Sequence, residues 1–335
     1  MSIRSVSIAG EPVGCIATGL MRLTWAPTDT PDDQAFELIK TAIDSGSNFL
    51  NSGAFYNRPD EPHSNLKLIS RFLEKYPNYS DKFLLSVKGG LSPEFKPSGE
   101  LEFLRNDVTK INEALKHKKM DFFEIARVPK DVSVEEMVKN LLTLQSEGHF
   151  KHISLSEVSA ATFRKAAAVQ PGAIALIEVE YSPFCVDIEK NGLLDAAKEL
   201  GVPILAYSPL GAGFLGNNWK SKDDIPEGDM RKGFDKFSDE NFAHNVQLAE
   251  KLGKVAEKKG VTAAQLSIAW VAAQWEKIIP LPGSTKPSRV AESVAAGNIT
   301  FSKEELDEIR QVIDSFEVKG VRYANNPHMQ ASLNG

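Results

Sequence analysis

Residues 204–224, ILAYSPLGAGFLGNNWKSKDD, decide between two α/β folds. Gly211–Gly216 match the spacing G-x-G-x-x-G, which in an open doubly wound sheet follows a strand and opens a helix. A strand is predicted at 202–206, but residues 217–229 are polar and contain Pro226 and Gly228, as is typical of a loop. The spacing alone therefore does not predict a Rossmann turn, since these glycines could simply allow a loop to turn.

The composition is that of an ordinary globular protein. Of its 335 residues, 42% are hydrophobic and 25% charged, and the net charge of −6 comes without a basic block, which argues against a nucleic-acid partner. The longest apolar stretch, 263–275, is too short to span a bilayer, and the N-terminus lacks a signal segment. Cys15 and Cys185 do not make a disulfide framework. We expect a soluble intracellular protein without a membrane partner.

Short β-branched runs alternate with longer amphipathic runs along the whole chain. After a small N-terminal hairpin and a first strand near 15–19, strands are predicted at 48–50, 82–87, 122–125, 152–155, 174–179, 202–206 and 277–280. Helices are predicted at 36–46, 66–76, 100–116, 133–145, 159–169, 191–200 and 241–274, with two more starting at 287 and 302. The pattern amounts to eight βα units without a linker between them.

The predicted strands are short and apolar at nearly every position. Such strands are typical of a parallel sheet that is covered on both faces. Eight units in one chain favour a (β/α)8 TIM barrel, a single domain over 1–335 with a long loop after strand 7; a doubly wound sheet is the alternative. Because barrel active sites lie at the carboxyl ends of the strands, the residues that follow each strand are the candidates for function.

Two neighbouring strands end in side chains that suit acid–base chemistry. Tyr56 lies beyond strand 2 and Lys88 directly follows strand 3, so both are expected at the mouth of the barrel. A nearby ammonium stabilises a phenolate and makes the phenol a better proton donor. In the alternative interpretation, Tyr56 packs on a loop and Lys88 extends into water.

Six segments, taken together and in order, resemble the aldo-keto reductase family and, within it, the pyridoxal reductases known from fungi. They are GSNFLNSGAFYN (46–57), FLLSVKGG (83–90), ISLSEVSAATFRKA (153–166), IEVEYSPF (177–184), PILAYSPLGAGFLG (203–216) and IIPLPGSTKPSRVAES (278–293). The resemblance implies the same (β/α)8 barrel, NADPH as cofactor, and reduction of aldehydes and ketones by a catalytic Tyr supported by Lys, Asp and His.

Two of these four catalytic positions depart from the family pattern. Tyr56 matches the proton donor and Lys88 the lysine, but Asn51 stands at the aspartate position and Ala126 at the histidine position. Asn51 can accept a hydrogen bond from Lys88 but cannot neutralise it. Ala126 leaves space where an imidazole would lie, and we expect this space to suit a ring such as that of pyridoxal.

The resemblance also implies contacts to the nicotinamide and the pyrophosphate. Glu157 and Glu178 stand where the family has amides, so each lacks the amide donor unless it is protonated. A solvated carboxylate is the alternative for either Glu, and core packing is the alternative for Tyr207. The glycine-rich segment is expected to cover the pyrophosphate flexibly, through backbone amides. The implied contacts are Ser156, Glu157, Glu178, Tyr207, Ser208, Leu210 and Gly211.

The segment GSTKPSR (283–289) is predicted to hold the 2′-phosphate of NADPH. It follows the last strand and leads into a helix with Pro287 in its first turn, and a helix N-terminus favours an anion. An ordinary capped surface helix with solvated cations is the alternative. The expected phosphate contacts are Ser284, Thr285, Lys286 and Arg289, with Glu292 as the adenine partner implied by the resemblance.

We therefore expect NADPH-dependent reduction of a small-molecule aldehyde, with pyridoxal reduced to pyridoxine. Two alternatives remain: a carbonyl reductase of broad specificity, and a non-catalytic NADPH-binding regulatory subunit like the family members that attach to potassium channels. No metal motif is present. We expect a monomer or weak oligomer, in the cytoplasm and also in the nucleus.

Overall fold

The computed structural model describes residues 3–25, 30–216 and 219–322, and Leu333. The strands are β1 Ser5–Ile8, β2 Glu11–Gly14, β3 Thr18–Gly19, β4 Phe49–Gly53, β5 Leu84–Gly89, β6 Phe122–Ile125, β7 His152–Ser156, β8 Ile174–Glu180, β9 Ile204–Tyr207 and β10 Ile278–Leu281. The α-helices are α1 Asp32–Asp44, α2 Ser64–Lys75, α3 Leu101–Leu115, α4 Val134–Ser146, α5 Ala160–Val169, α6 Asp187–Lys190, α7 Leu193–Leu200, α8 Asp239–Lys259, α9 Ala263–Ala273, α10 Pro287–Ala295 and α11 Lys303–Asp314.

The N-terminal hairpin has the form that the sequence predicts. Strands β1 and β2 pair antiparallel, with Ser5 opposite Gly14. Ala9 and Gly10 join them with φ angles of 51° and 87°, the two positive values that a tight two-residue hairpin turn requires. A Cβ on Gly14 would lie 2.1 Å from the carbonyl oxygen of Gly46, just before β4. The hairpin therefore packs closely on the amino-terminal end of the barrel.

Strands β3 to β10 form one parallel sheet in sequential order. The amide of Ala17 donates to the carbonyl of Pro280, and the amide of Gly19 to the carbonyl of Pro282, each at 2.9 Å. These bonds join the first barrel strand to the last and close the ring. The predicted (β/α)8 barrel is confirmed, and the alternative of an open doubly wound sheet is wrong.

The barrel strands are buried on both faces, as their apolar sequences predict. All seven residues of β8 are buried, and the helices cover the outside of the sheet with their apolar faces, such as Phe36, Leu38 and Ile39 of α1. Each large apolar side chain buried in this way stabilises the fold by about 1.5–3 kcal/mol.

Two predicted strands end too early. Strands β4 and β5 continue through Asn51 and Lys88, so these two side chains project from the strands themselves.

The long connection between β9 and α8 folds into short 3₁₀ turns in its described part, and no α-helix opens on the described glycine-rich segment. Phe214 is buried and stacks between Phe184 and Phe237, at ring-centroid distances of 5.0 and 4.6 Å. The Ser267 hydroxyl also donates to the carbonyl of Pro209 at 2.5 Å. The Rossmann interpretation is thus excluded. Pro209 and Phe214 anchor the segment on the barrel, and its expected role as a cover of the pyrophosphate stays a prediction.

None of the described helices is long and apolar enough to cross a membrane.

Candidate active site

Lys88 stands at the centre of a buried charge network inside the barrel. Its Nζ donates to Asn51 Oδ1 at 2.6 Å and to Glu178 Oε2 at 2.7 Å, and it lies 3.3 Å from Glu124 Oε1. The Asn51 amide also donates to Glu178 Oε2 at 2.8 Å. Burial alone would lower the pKa of Lys88, but the carboxylates of Glu124 and Glu178 outweigh it and raise that pKa. Lys88 is therefore held as a cation.

Tyr56 lies beside this network. Its ring packs on Gly53, where a Cβ would come within 3.1 Å of the ring atoms, and the ring centroid lies 5.9 Å from Lys88 Nζ. Burial raises the pKa of the Tyr56 phenol to about 12, and the Lys88 ammonium opposes part of that rise. The phenol thus stays protonated at neutral pH and can act as a proton donor. The structure brings together Tyr56, Lys88 and Asn51, as the sequence predicts.

Glu124 belongs to the network and was missed at the sequence level. It lies directly opposite Lys88 in the ladder of β5 and β6, and it is fully buried. A signal was present, because an acidic residue in the apolar strand Phe122–Ile125 has to find a partner when both faces of the sheet are covered. The strand order then points to the neighbouring Lys88 as that partner.

Glu178 belongs to the buried network. The resemblance places it at the nicotinamide carboxamide, which stays a prediction, and in the structure its carboxyl group accepts hydrogen bonds from Lys88 and Asn51. Burial, followed by the Glu124 carboxylate, raises the pKa of Glu178, against the opposing effect of Lys88. Asn51 accepts the expected hydrogen bond from Lys88, and the neutralising carboxyl groups come from Glu124 and Glu178, which the sequence did not indicate as its partners.

Ser156 and Glu157 lie side by side at the end of β7, as predicted. The Ser156 hydroxyl is buried and has no hydrogen-bond partner among the described residues. Glu157 has a φ of 52°, a left-handed conformation that is uncommon for a side chain of this size. Unpaired buried polar atoms and backbone strain both concentrate at functional sites. The free hydroxyl fits the expected polar end of a nicotinamide.

Arg322 comes to this site from the C-terminal end of the chain. Its guanidinium donates to Glu157 Oε1 and to the Tyr207 hydroxyl, each at 2.9 Å, and forms an ion pair with Glu180. Burial alone would lower the pKa of Arg322, but Tyr207, Glu180 and Glu157 raise it. Sequence reasoning missed Arg322, because nothing in its local sequence indicates contacts more than a hundred residues away.

A cavity of about 250 Å³ adjoins Arg322. Glu157, Glu180 and Lys236 are among the residues that line it. Burial would raise the pKa of Glu180, but Lys236 and Arg322 lower it. Glu157 and Glu180 thus both pair with Arg322, whereas Glu178 pairs with Lys88.

The glycine-rich segment begins in strained backbone. Ser208, Gly211 and Ala212 have φ angles of 52°, 58° and 54°. Leu210 precedes the 3₁₀ turn Gly211–Gly213, and the Gly211 amide donates to the Ser208 carbonyl at 2.9 Å. The segment lies beyond β9 and so at the carboxyl-terminal mouth of the barrel. Ser208, Leu210 and Gly211 are therefore on the predicted side of the molecule.

An ion-pair cluster holds the rest of this connection across the mouth. Asp229 pairs with Arg231 at 2.6 Å and with Arg22, which follows β3, at 3.3 Å. Burial would raise the pKa of Asp229, but the two arginines lower it to about 2. Arg231 also donates to the carbonyl of Ala212 at 3.1 Å. The charge cluster links the connection after β9 to the turn that follows β3, two strands away in the closed ring.

The predicted phosphate segment has the expected local structure. It follows β10, and α10 begins with Pro287. The Lys286 amide donates to the Ser284 hydroxyl at 3.0 Å, and the carbonyl of Thr285 accepts from Gln34 at 2.5 Å. Lys286 and Arg289 are both exposed at the N-terminus of the helix.

Glu292 and Ala126 were also expected to contribute to the site. Glu292, the expected adenine partner, accepts a hydrogen bond from Thr262 at 2.6 Å. Ala126 is only 1% exposed, and the wider pocket beside it stays a prediction. In the described part of the chain, no cluster of His, Cys, Asp and Glu could hold a metal ion.

A closed parallel barrel with a Tyr–Lys pair in its mouth defines the class of this protein as a (β/α)8-barrel oxidoreductase. Residues 15–314 match the model of the Aldo/keto reductase family, and the chain belongs to that family.

Relatives share nearly its whole length. It is 37% identical over 338 residues to the probable pyridoxal reductase 2 of Schizosaccharomyces pombe, covering 97% of this chain and 98% of that protein. It is 34% identical to an NADP(+) aldo-keto reductase, yakc, of the same yeast, with 96% and 95% covered. Its fold is similar to that of a glycerol dehydrogenase from Gluconobacter oxydans, with a TM-score of 0.82, 22% identity, and 96% and 98% covered.

Proposed function

We propose that this protein reduces aldehydes with NADPH, that pyridoxal is its substrate, and that Tyr56 is the proton donor. The observation that carries the proposal is the buried Tyr56 phenol beside a Lys88 that its neighbours keep charged. The 37% identity to a probable pyridoxal reductase supports the choice of substrate. The yeast relative named with NADP(+) supports the choice of cofactor.

When bound, NADPH supplies the hydride that reduces the carbonyl carbon. The Tyr56 hydroxyl donates a proton to the carbonyl oxygen, and the Lys88 charge stabilises the phenolate that remains. Because Tyr56 and Lys88 are both almost fully buried, water screens their interaction little.

Three parts of the barrel mouth are proposed to hold the cofactor. The unpaired Ser156 hydroxyl would bind the nicotinamide carboxamide, and the Tyr207 ring would stack on the nicotinamide. The backbone from Ser208 to Gly211 would cover the pyrophosphate. The exposed cations Lys286 and Arg289 at the start of α10 would bind the 2′-phosphate.

An aromatic surface around Tyr56 supports a flat ring as substrate. The rings of Trp25 and Phe55 lie 5.2 and 5.1 Å from the Tyr56 ring, and Phe95 lies 6.0 Å from Phe55. Offset and edge-to-face ring contacts at such distances add about 0.5–1.5 kcal/mol beyond area burial. The surface offers a pyridine ring several partners beside the proton donor.

Oxidation of NADPH, followed by its absorbance, with pyridoxal and a panel of other aldehydes tests the proposal. We expect turnover with pyridoxal above that with aliphatic aldehydes. Equal turnover with all of them would favour a carbonyl reductase of broad specificity. Tight NADPH binding without any turnover would instead indicate a regulatory subunit.

The variant Tyr56→Phe tests the proton donor. Removing one hydroxyl should lower kcat by about 10²- to 10⁴-fold and leave NADPH binding nearly unchanged. Tyr79→Phe is the matched control, because the Tyr79 hydroxyl contacts Asp44 and not the active-site network. An unchanged kcat for Tyr56→Phe, when hydride transfer limits the rate, would show that Tyr56 is not the donor.

A further inference from the structure

Glu124 is buried at a position where an isolated carboxylate would be unstable. It lies in the middle of the closed sheet, between Phe123 and Ile125, and is fully buried. Its Oε2 accepts three long hydrogen bonds, from Ser86 at 3.3 Å, Asn51 at 3.4 Å and Ser154 at 3.5 Å. Bonds of this length compensate poorly for the loss of water around a charge.

The other oxygen of Glu124 has no hydrogen-bond donor among the described residues. It lies 3.3 Å from Lys88 Nζ, which is also 2.7 Å from Glu178 Oε2. The Asn51 amide likewise contacts both acids, at 3.4 Å from Glu124 Oε2 and 2.8 Å from Glu178 Oε2. Two carboxylates that share these partners repel each other unless one of them binds a proton, so the geometry favours one proton on this pair.

The charge count leads to the same result. One ammonium, on Lys88, faces two buried carboxyl groups, on Glu124 and Glu178. With both ionised, the cluster would carry one uncompensated negative charge in the barrel interior, which is costly. With one shared proton, the cluster is neutral. Asn51 stands at the position where the family has an aspartate. Because it carries no charge, the number of carboxyl groups around Lys88 stays at two.

We propose that Glu124 and Glu178 share one proton and that this carboxyl pair is the source from which Tyr56 is reprotonated, through Lys88. The second half of this proposal rests on the function proposed above. After Tyr56 has given its proton to the substrate oxygen, Lys88 transfers a proton to the phenolate. The carboxyl pair then transfers its proton to the Lys88 amine and becomes fully ionised, and water restores the proton of the pair.

Few other groups act on the pair. Two titratable side chains face the pair: Tyr56, which follows β4, and Lys88 on β5. Strand β7 contributes the neutral Ser154. The next acids, Glu157 and Glu180, are engaged by Arg322.

Infrared difference spectroscopy of the protein alone tests the shared proton. A protonated carboxyl group has a carbonyl band that is separate from the carboxylate bands. We expect the spectrum of the wild type minus that of Glu124→Gln at pH 7 to contain this band, because the variant leaves Glu178 as an ordinary ion-pair partner of Lys88. Glu180→Gln is the matched control, since it removes an ion-paired carboxylate and should change only carboxylate bands. Absence of the protonated band from the Glu124→Gln difference would overturn the proposal.

The pH dependence of kcat tests the role in reprotonation. In the wild type, kcat for aldehyde reduction should fall at alkaline pH in step with the loss of the protonated band. In Glu124→Gln, this inflection should disappear and kcat should be lower by at least several-fold below it. A merely structural role would lower kcat at all pH values and keep the inflection. If kcat does not follow the band, the pair is not the proton source. If the band is present but the wild type reduces no aldehyde, the proposed function fails while the shared proton stands.

Discussion

The substitution Arg322→Ala removes the cation that holds the C-terminal end of the described chain on the barrel mouth. In the wild type, the guanidinium contacts Glu157, Glu180 and Tyr207, and the Arg322 side chain is only 16% exposed. The variant leaves two buried carboxylates with fewer partners. Among the described residues, the ion-pair partner that remains for Glu180 is Lys236, at 3.7 Å.

The expected loss of stability follows from this burial. Removing one partner of a buried ion pair costs about 3–5 kcal/mol, and the remaining contact of Lys236 with Glu180 places the expected value at about 3 kcal/mol. For a chain of 335 residues, the entropy of unfolding is about 0.7 kcal/mol per degree. We therefore expect Tm to fall by about 4 °C at pH 7.

The pH dependence of this loss has a definite sign. Lys236 and Arg322 lower the pKa of Glu180 in the folded protein below its ordinary value of 4.5. A carboxylate of this kind stabilises the fold fully above its ordinary pKa, and the stabilisation is lost as the pH falls through the folded value. The difference in Tm between the wild type and Arg322→Ala should be full at pH 7 and shrink below pH 4.

Thermal unfolding followed by circular dichroism measures the effect. Arg164→Ala is the matched control, because Arg164 pairs with Glu199 at 2.7 Å while both side chains are exposed. An exposed pair of this kind contributes about 0–1 kcal/mol, so the control should lower Tm by less than 2 °C. Equal losses for both variants, or a loss for Arg322→Ala that does not depend on pH, would refute the reasoning.

Three further changes have expected outcomes. Arg289→Ala should weaken NADPH binding by about 10- to 100-fold and leave NADH binding almost unchanged, since hydrogen bonds to charged groups are worth about 1.5–3 kcal/mol; titration by protein fluorescence quenching checks this, and equal effects on both cofactors would move the phosphate site elsewhere. Ala126→His should lower kcat/KM for pyridoxal more than for small aldehydes, and a gain with pyridoxal would contradict the space argument. Burial raises the pKa of Asp107 from 3.8 to about 6, so its ionisation costs the fold about 3 kcal/mol at pH values above 6. Asp107→Asn, which can still accept from the Gly90 amide, should raise stability at pH 8 and change it little at pH 4, as urea unfolding at both values would show; an equal gain at both would exclude the charge as its cause.

The fold and the positions of the strand ends could be predicted because they depend on local patterns. Strands that are apolar at most positions alternate with amphipathic helices along most of the chain, and few folds accommodate this order in a single domain. Tyr56 and Lys88 were placed together because neighbouring parallel strands end at the same edge. The polar residues after Gly216 likewise agree with the structure, in which no α-helix opens on the described glycine-rich segment.

The partners inside the barrel could not be predicted in the same way. Glu178 comes from a strand that is not adjacent to that of Lys88, and its side chain crosses the barrel interior to Lys88 and Asn51. Which acid pairs with which cation depends on the radius of the barrel and on how far each side chain reaches across it. The order of apolar and polar residues along the chain does not contain this information. Arg322 shows the same limit, since its contacts join the ends of β7, β8 and β9 to the C-terminal segment.

The closure of the ring by Gly19 and Pro282 has a consequence for synthesis of the protein. The first barrel strand leaves the ribosome early, but its partner β10 is made only after almost the entire barrel. Until then, β3 and β9 are both open edges with unpaired backbone groups, which are prone to pair with other chains. A nascent chain arrested before Ile278 should therefore aggregate or require a chaperone. Once β10 and the helices after it have left the ribosome, the chain should no longer require one.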